Sequence, residues 1–136
     1  MSSPSKRAEI QFLATSDLAE AISAWQRWLV SEKRASAHTI DGYGRDLSSF
    51  LTFLAEHRGG APGLKTLQDL RTPDFRAWLA RRATDGLARS STARALSTVR
   101  GFFRHLAREG VVDNAAALSA RGPKVPKSVP KALSAP

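Results

Sequence analysis

The stretch RSSTARALSTVRGFFRHLAREG, residues 89–110, decides how this chain is read. It opens with hydroxyl residues suited to capping a helix and closes on Gly110, a natural stop. Between them Leu96, Val99, Phe103 and Leu106 recur at helical spacing, so one face is apolar and must be buried. At about 100° per residue, Ser90, Arg94, Ser97, Gly101 and Arg108 fall on the opposite face, with Arg100 and Arg104 on its flank. A helix with an apolar back and a front of arginines and small residues fits a polyanion. Duplex DNA is the leading candidate.

A second long helix is expected from Ser36 to about His57, ended by the glycine-rich segment that follows. Ile40, Tyr43, Leu47, Phe50, Leu51 and Leu54 make its apolar stripe, and His38, Gly42, Arg45 and Ser49 stand on the far side. The outward line thus repeats that of residues 89–110: a glycine, a serine and an arginine. A mid-helix glycine costs about 1 kcal/mol relative to alanine, so Gly42 and Gly101 imply close approach of something, either DNA backbone or a crossing helix.

The remaining elements surround these two. Residues 1–14 read as a mobile arm whose apolar end, Ile10, Phe12 and Leu13, docks on the core. A first helix spans residues 17–33 with Leu18, Ile22, Trp25 and Leu29 inward and Trp28 beside them; its tryptophans are expected as core anchors. Residues 66–70 form a short turn, and Thr72-Pro73-Asp74 starts a third helix carrying Phe75, Trp78 and Leu79 inward. Its Arg76, Arg81 and Arg82, offset by Asp74 and Asp85, are expected on a solvated face first and on phosphates second. Residues 89–110 make the fourth helix, after which Asn114 caps a short turn. From Arg121 to Lys131 prolines alternate with lysines and no acid appears, which suits an extended spacer or a disordered basic tail.

Charge follows the same division. The formal net charge is +9 over 136 residues. Residues 89–136 hold nine basic residues against Glu109 and Asp113, whereas residues 1–88 hold twelve against ten acids. Nearly all the excess lies in the last third, the pattern of a nucleic-acid-binding chain. Cysteine is absent, which excludes disulfides and thiolate metal sites, and His38, His57 and His105 lack ligand spacing, so no metal or other cofactor is expected. No apolar run is long enough to span a bilayer and no signal peptide is visible, so an intracellular, cytoplasmic protein without a membrane partner is expected. There is no nucleophile–base constellation and no phosphate loop. The chain by itself is expected not to be an enzyme.

The residues carry a resemblance. Ser36-Ala37-His38-Thr39-Ile40 with Tyr43, Asp46-Leu47, Phe50-Leu51 and Phe53-Leu54 resembles the second helix of Xer-type tyrosine recombinases. Ser90-Ser91-Thr92-Ala93-Arg94, Leu96-Ser97, Arg100-Gly101-Phe102-Phe103 and Leu106 resemble their fourth, and Asp113-Asn114 followed by Gly122-Pro123-Lys124, Pro126-Lys127 and Pro130-Lys131 resembles their interdomain linker. Ala115 departs from the family's usual proline, which should loosen that turn.

The resemblance implies an all-α, four- to five-helix, SAM-like orthogonal bundle over residues 15–120, with the arm before it and the linker, residues 121–136, leading to a catalytic domain. It implies the core-binding half of a site-specific recombinase that resolves chromosome dimers, acting with sister subunits as a tetramer on double-stranded DNA. This chain alone is expected to be monomeric. The alternatives are the matching domain of a phage or transposon integrase and, further off, a helical protein-interaction module with a basic tail. Within the favoured reading the second and fourth helices enter adjacent parts of the major groove. Ser36, His38 and Thr39, and Ser90, Ser91 and Thr92, are expected to hold phosphates at helix N-termini. Arg45 and Arg94 are expected at base edges, and Arg89, Arg100, Arg104, Arg108, Lys124 and Lys127 on phosphates. Gly42, Ser49, Ser97 and Gly101 complete the surface.

Overall fold

A computed structural model describes residues 10–125. Among the described residues six helices follow one another: α1 (Ser16–Ser31), α2 (Ala37–Arg58), α3 (Leu64–Asp69), α4 (Thr72–Thr84), α5 (Arg89–Arg108) and α6 (Ala115–Ser119). No strand occurs among the described residues. The expected all-α bundle is therefore what forms. Its count exceeds four to five because α3 and the turn after Asn114 are both wound tightly enough to be helical.

The second and fourth of the expected helices are α2 and α5, and their contact is the most extensive between any two elements. Leu47, Phe50, Leu51 and Leu54 of α2 meet Leu96, Val99, Phe102, Phe103 and Leu106 of α5 in one apolar core that also takes in Leu18, Ile22 and Trp25 of α1. Each such side chain contributes about 1.5–3 kcal/mol when fully withdrawn from water. Aromatic rings tie in α4. Phe50 lies 4.9 Å from Trp78 edge-on and 5.8 Å from Phe75, and Phe75 lies 5.9 Å from Phe103.

Helix ends explain where elements start and stop. Ser36, expected as the first residue of that helix, instead caps α2 by accepting from the Thr39 amide at 3.1 Å. Gly59 ends it in the left-handed region at φ 82°, a conformation that side chains with a Cβ rarely adopt. Two expected caps are displaced. Helix α4 begins with Thr72 itself, and the Asp74 carboxylate reaches back to accept from the Arg71 amide at 2.7 Å. Helix α5 begins at Arg89 with Ala88 preceding it, so no hydroxyl caps it.

Asn114 does more than cap α6. Its side-chain oxygen accepts from the Ala117 amide while its Nδ2 donates to the carbonyls of Leu67 and Leu70 at 2.8 and 2.9 Å. That holds the turn closed despite Ala115. At the other end, Ile10 and Phe12 of the expected arm lie against Gly44, where a Cβ would meet the Ile10 side chain at 2.9 Å. A larger residue there would push the end of the Ile10 side chain aside.

Candidate nucleic-acid interface

Helices α1, α2 and α5 enclose an open groove of about 610 Å³ lined by Trp28, Lys33, Tyr43, Arg94, Gly101 and Arg104 among others, with Arg108 at its end. Its basic wall comes from α5, because positions 94, 97, 101, 104 and 108 follow one another along a single helical edge. No ion pair engages Arg104 or Arg108 among the described residues. Arg108 instead lies over the Trp28 ring at 4.5 Å, and Lys33 approaches the same ring at 5.4 Å. Trp28 is thus half-buried with cations against it, not the fully enclosed anchor expected, whereas Trp25 is enclosed.

Gly42 and Gly101 have open space where a Cβ would stand, with nothing within 4 Å. A crossing helix is therefore not what requires them. Of the two routes to close approach, the one within the molecule is removed.

The remaining expected residues divide. Ser97, Arg45, His38, Arg89, Ser90 and Lys124 are exposed. Arg45 does not line the groove; it stands about 100° round α2 from Asp46, on the flank. The Ser36 hydroxyl is committed to its cap and donates its proton to the Thr39 hydroxyl at 3.0 Å, whereas Thr39 keeps its own proton for a phosphate. Lys127 lies outside the described residues.

Three assignments, Arg82, Thr92 and Arg100, are corrected by burial and hydrogen bonding, and that of Arg94 is restricted. Arg82, expected in solvent, is only 6 % exposed. Its Nε donates to the Thr92 hydroxyl at 2.9 Å, Nη1 to Ser49 at 3.1 Å and Nη2 to Ser91 at 3.3 Å. Thr92, expected on a phosphate, is therefore sealed inside, whereas Ser91 and Ser49 only accept from Arg82 and each keeps its own hydroxyl proton to donate. Burial lowers the Arg82 pKa, opposed by the nearby Asp46 carboxylate and reinforced by Arg94. Arg100, expected on a phosphate, turns towards α6. Its Nη1 donates to the Ala120 carbonyl at 2.6 Å, and its Nε is buried without a partner among the described residues. Arg94 keeps its place in the groove with a restriction: Nε and Nη2 donate to Asp46 of α2 at 3.2 and 2.9 Å, a partner that raises its pKa further.

Sequence reasoning missed Asp46 and Arg82 as polar members of the interior. Asp46 had one available signal, since at three residues after Tyr43 and four before Phe50 it falls on the apolar face of the helix. Among the described residues no group of three potential ligands could hold a metal ion, and no helix is long and apolar enough to cross a membrane.

The sequence profile of the phage integrase N-terminal SAM-like domain matches residues 22–110. The chain is 45% identical over 124 residues to the tyrosine recombinase XerC of Rhodospirillum centenum, covering 91% of this chain and 36% of that protein. It is 40% identical over 122 residues to the XerC of Mesorhizobium japonicum, with 90% and 39% covered. Against the XerC of Brucella suis it is 41% identical over 128 residues, with 94% and 41% covered. The chain spans about two fifths of the length of these relatives. No solved structure matches it.

Proposed function

This chain belongs to the phage integrase N-terminal SAM-like domain family, and from that premise we propose that it is the DNA-gripping domain of a Xer-type tyrosine recombinase. The observation that carries the reading is the α5 edge. Arg94, Arg104 and Arg108 share one groove with Gly101, whose missing Cβ serves no packing inside the molecule. Small and cationic residues alternating on one open helical edge suit a rod seated in the major groove, with the arginines reaching phosphates and bases on either side. Helix α2 flanks it with Gly42 and Arg45.

In this reading residues 15–120 are the binding domain, preceded by the arm and followed by the basic segment of residues 121–136. Strand cleavage belongs to residues that this chain does not supply, and the whole protein recombines DNA as an assembly of subunits in the cytoplasm. The name shared by the relatives favours a chromosomal recombinase of the dimer-resolving kind over the integrase of a mobile element.

The test is fluorescence anisotropy on duplex DNA across a salt series. Arg45, Arg89, Arg104, Arg108 and Lys124 are exposed cations without an ion pair among the described residues. Neutralising about five phosphates gives a slope of log K on log salt near −4 to −5. A slope flatter than about −1, or no binding at all, rejects the reading.

A further inference from the structure

Asp46 is 5 % exposed, and every hydrogen bond it accepts comes from α5: two from Arg94 and one, at 3.0 Å, from the Thr98 hydroxyl. The Arg94 side chain above it stays 64 % exposed. Such an arrangement is a poor device for stability. An ion pair open to water on one side contributes about 0–1 kcal/mol, while withdrawing the carboxylate from water costs more than that unless other bonds compensate. What the arrangement does secure is direction. With Nε and Nη2 held, the guanidinium cannot swing through its rotamers, and Nη1 with the second N–H of Nη2 carries no hydrogen bond among the described residues. Those two donors form the end-on fork that fits the O6 and N7 edge of guanine.

We propose that Asp46 is a positioning residue for sequence readout: it stays off the duplex and aims Arg94 so that its free end meets a guanine. The proposal rests on the DNA-binding reading above. Charge sharpens it. Pairing with Asp46 cancels much of the attraction of Arg94 for phosphates in general and leaves the directional part. Removing the carboxylate therefore loosens choice while strengthening unselective binding, two effects of opposite sign. A simple clamp between α2 and α5 would leave choice unchanged.

The experiment selects duplexes from a library of 20-bp DNAs with randomised sequence, using the unsubstituted chain, Asp46→Asn, Arg94→Ala and the double variant. Asp46→Glu and Thr98→Val accompany them. The first keeps the charge but displaces the guanidinium, and the second removes the Thr98 hydroxyl from Asp46 and from the Arg94 carbonyl while leaving the Arg94 guanidinium untouched. The expected result is a guanine preference in the unsubstituted chain that Arg94→Ala abolishes. Asp46→Asn weakens that same preference about tenfold and tightens binding to random duplex, and it adds nothing in the Arg94→Ala background. Asp46→Glu shifts or lowers the preference, and Thr98→Val leaves it intact. Unchanged preference in Asp46→Asn with a lower melting temperature overturns the proposal in favour of a clamp. Should Asp46→Asn not fold, unchanged preference in Asp46→Glu overturns it equally. Failure of the unsubstituted chain to bind any duplex rejects the DNA reading itself and is told apart by that arm.

Discussion

The Arg82 Nε donates to the Thr92 hydroxyl at 2.9 Å, joining the end of α4 to the first turn of α5 in the interior of the bundle. The same guanidinium reaches Ser49 and Ser91 and lies 5.6 Å from the Trp78 ring. Three hydroxyls and one planar fork make a seam that only arginine spans. Arg82→Ala should cost about 2–4 kcal/mol in urea denaturation, from the cavity and from the hydroxyls left unpaired. Arg82→Lys should recover less than half, because one ammonium cannot reach all three. Full recovery by lysine would reduce the seam to a charge effect.

Gly101→Ala separates folding from binding. The added methyl meets nothing within 4 Å, and alanine favours the helix by about 0.5–1 kcal/mol, so the free chain should become more stable. Where a duplex has to come close, the same methyl should weaken binding roughly tenfold, about 1.4 kcal/mol. Denaturation and anisotropy measured on one preparation check both signs. An alanine variant that is stabilised and binds normally would show that no partner approaches there.

His105 supplies a pH signature. Burial pushes its pKa below the ordinary 6.5; Glu109 opposes that shift and Arg108 assists it. The buried Nδ1 has no hydrogen-bond partner among the described residues, and the Trp28 ring lies 5.1 Å away. The unfolded chain thus takes up this proton first as acid is added. The contribution is complete above the unfolded value and is lost as pH falls through 6.5 towards the folded one. The melting temperature should fall between about pH 7 and pH 5, and His105→Phe should flatten that part of the curve. An unaltered curve would place the titration elsewhere.

Arg104→Ala tests the phosphate set. Arg104 is exposed and unpaired among the described residues, so the substitution should change stability by less than about 0.5 kcal/mol. It should reduce the salt slope by about 1 and weaken specific and random duplex alike. A loss confined to one sequence would promote Arg104 to a base contact.

The long helices and their buried faces were legible because burial writes itself as a period. Leu47, Phe50, Leu51 and Leu54, like Val99, Phe103 and Leu106, recur at the spacing of a helix, and each lies in the core. The polar interior was not legible. Arg82 reads as solvent-facing by its charge, and its partners Ser49, Ser91 and Thr92 lie on two other helices. Nothing in their local pattern tells a hydroxyl that caps from one that accepts a buried guanidinium. Arg100 failed for a related reason. Its place on the helical wheel is a flank, and whether a flank meets solvent or a neighbour depends on where α6 returns. Asn114 was recognised as a cap by its local sequence. Its grip on Leu67 and Leu70 spans more than forty residues and left no trace there.

The bond from Arg100 to Ala120 also gives the outgoing chain its heading. Just past that carbonyl Gly122 sits over α5 so tightly that a methyl on it would come within 3.1 Å of Leu96. One rod therefore carries cations along one edge and moors the departing backbone on another. A tilt imposed on that rod by a bound duplex would swing the mooring with it, so the bearing of residues 122–125 would register how the DNA is seated.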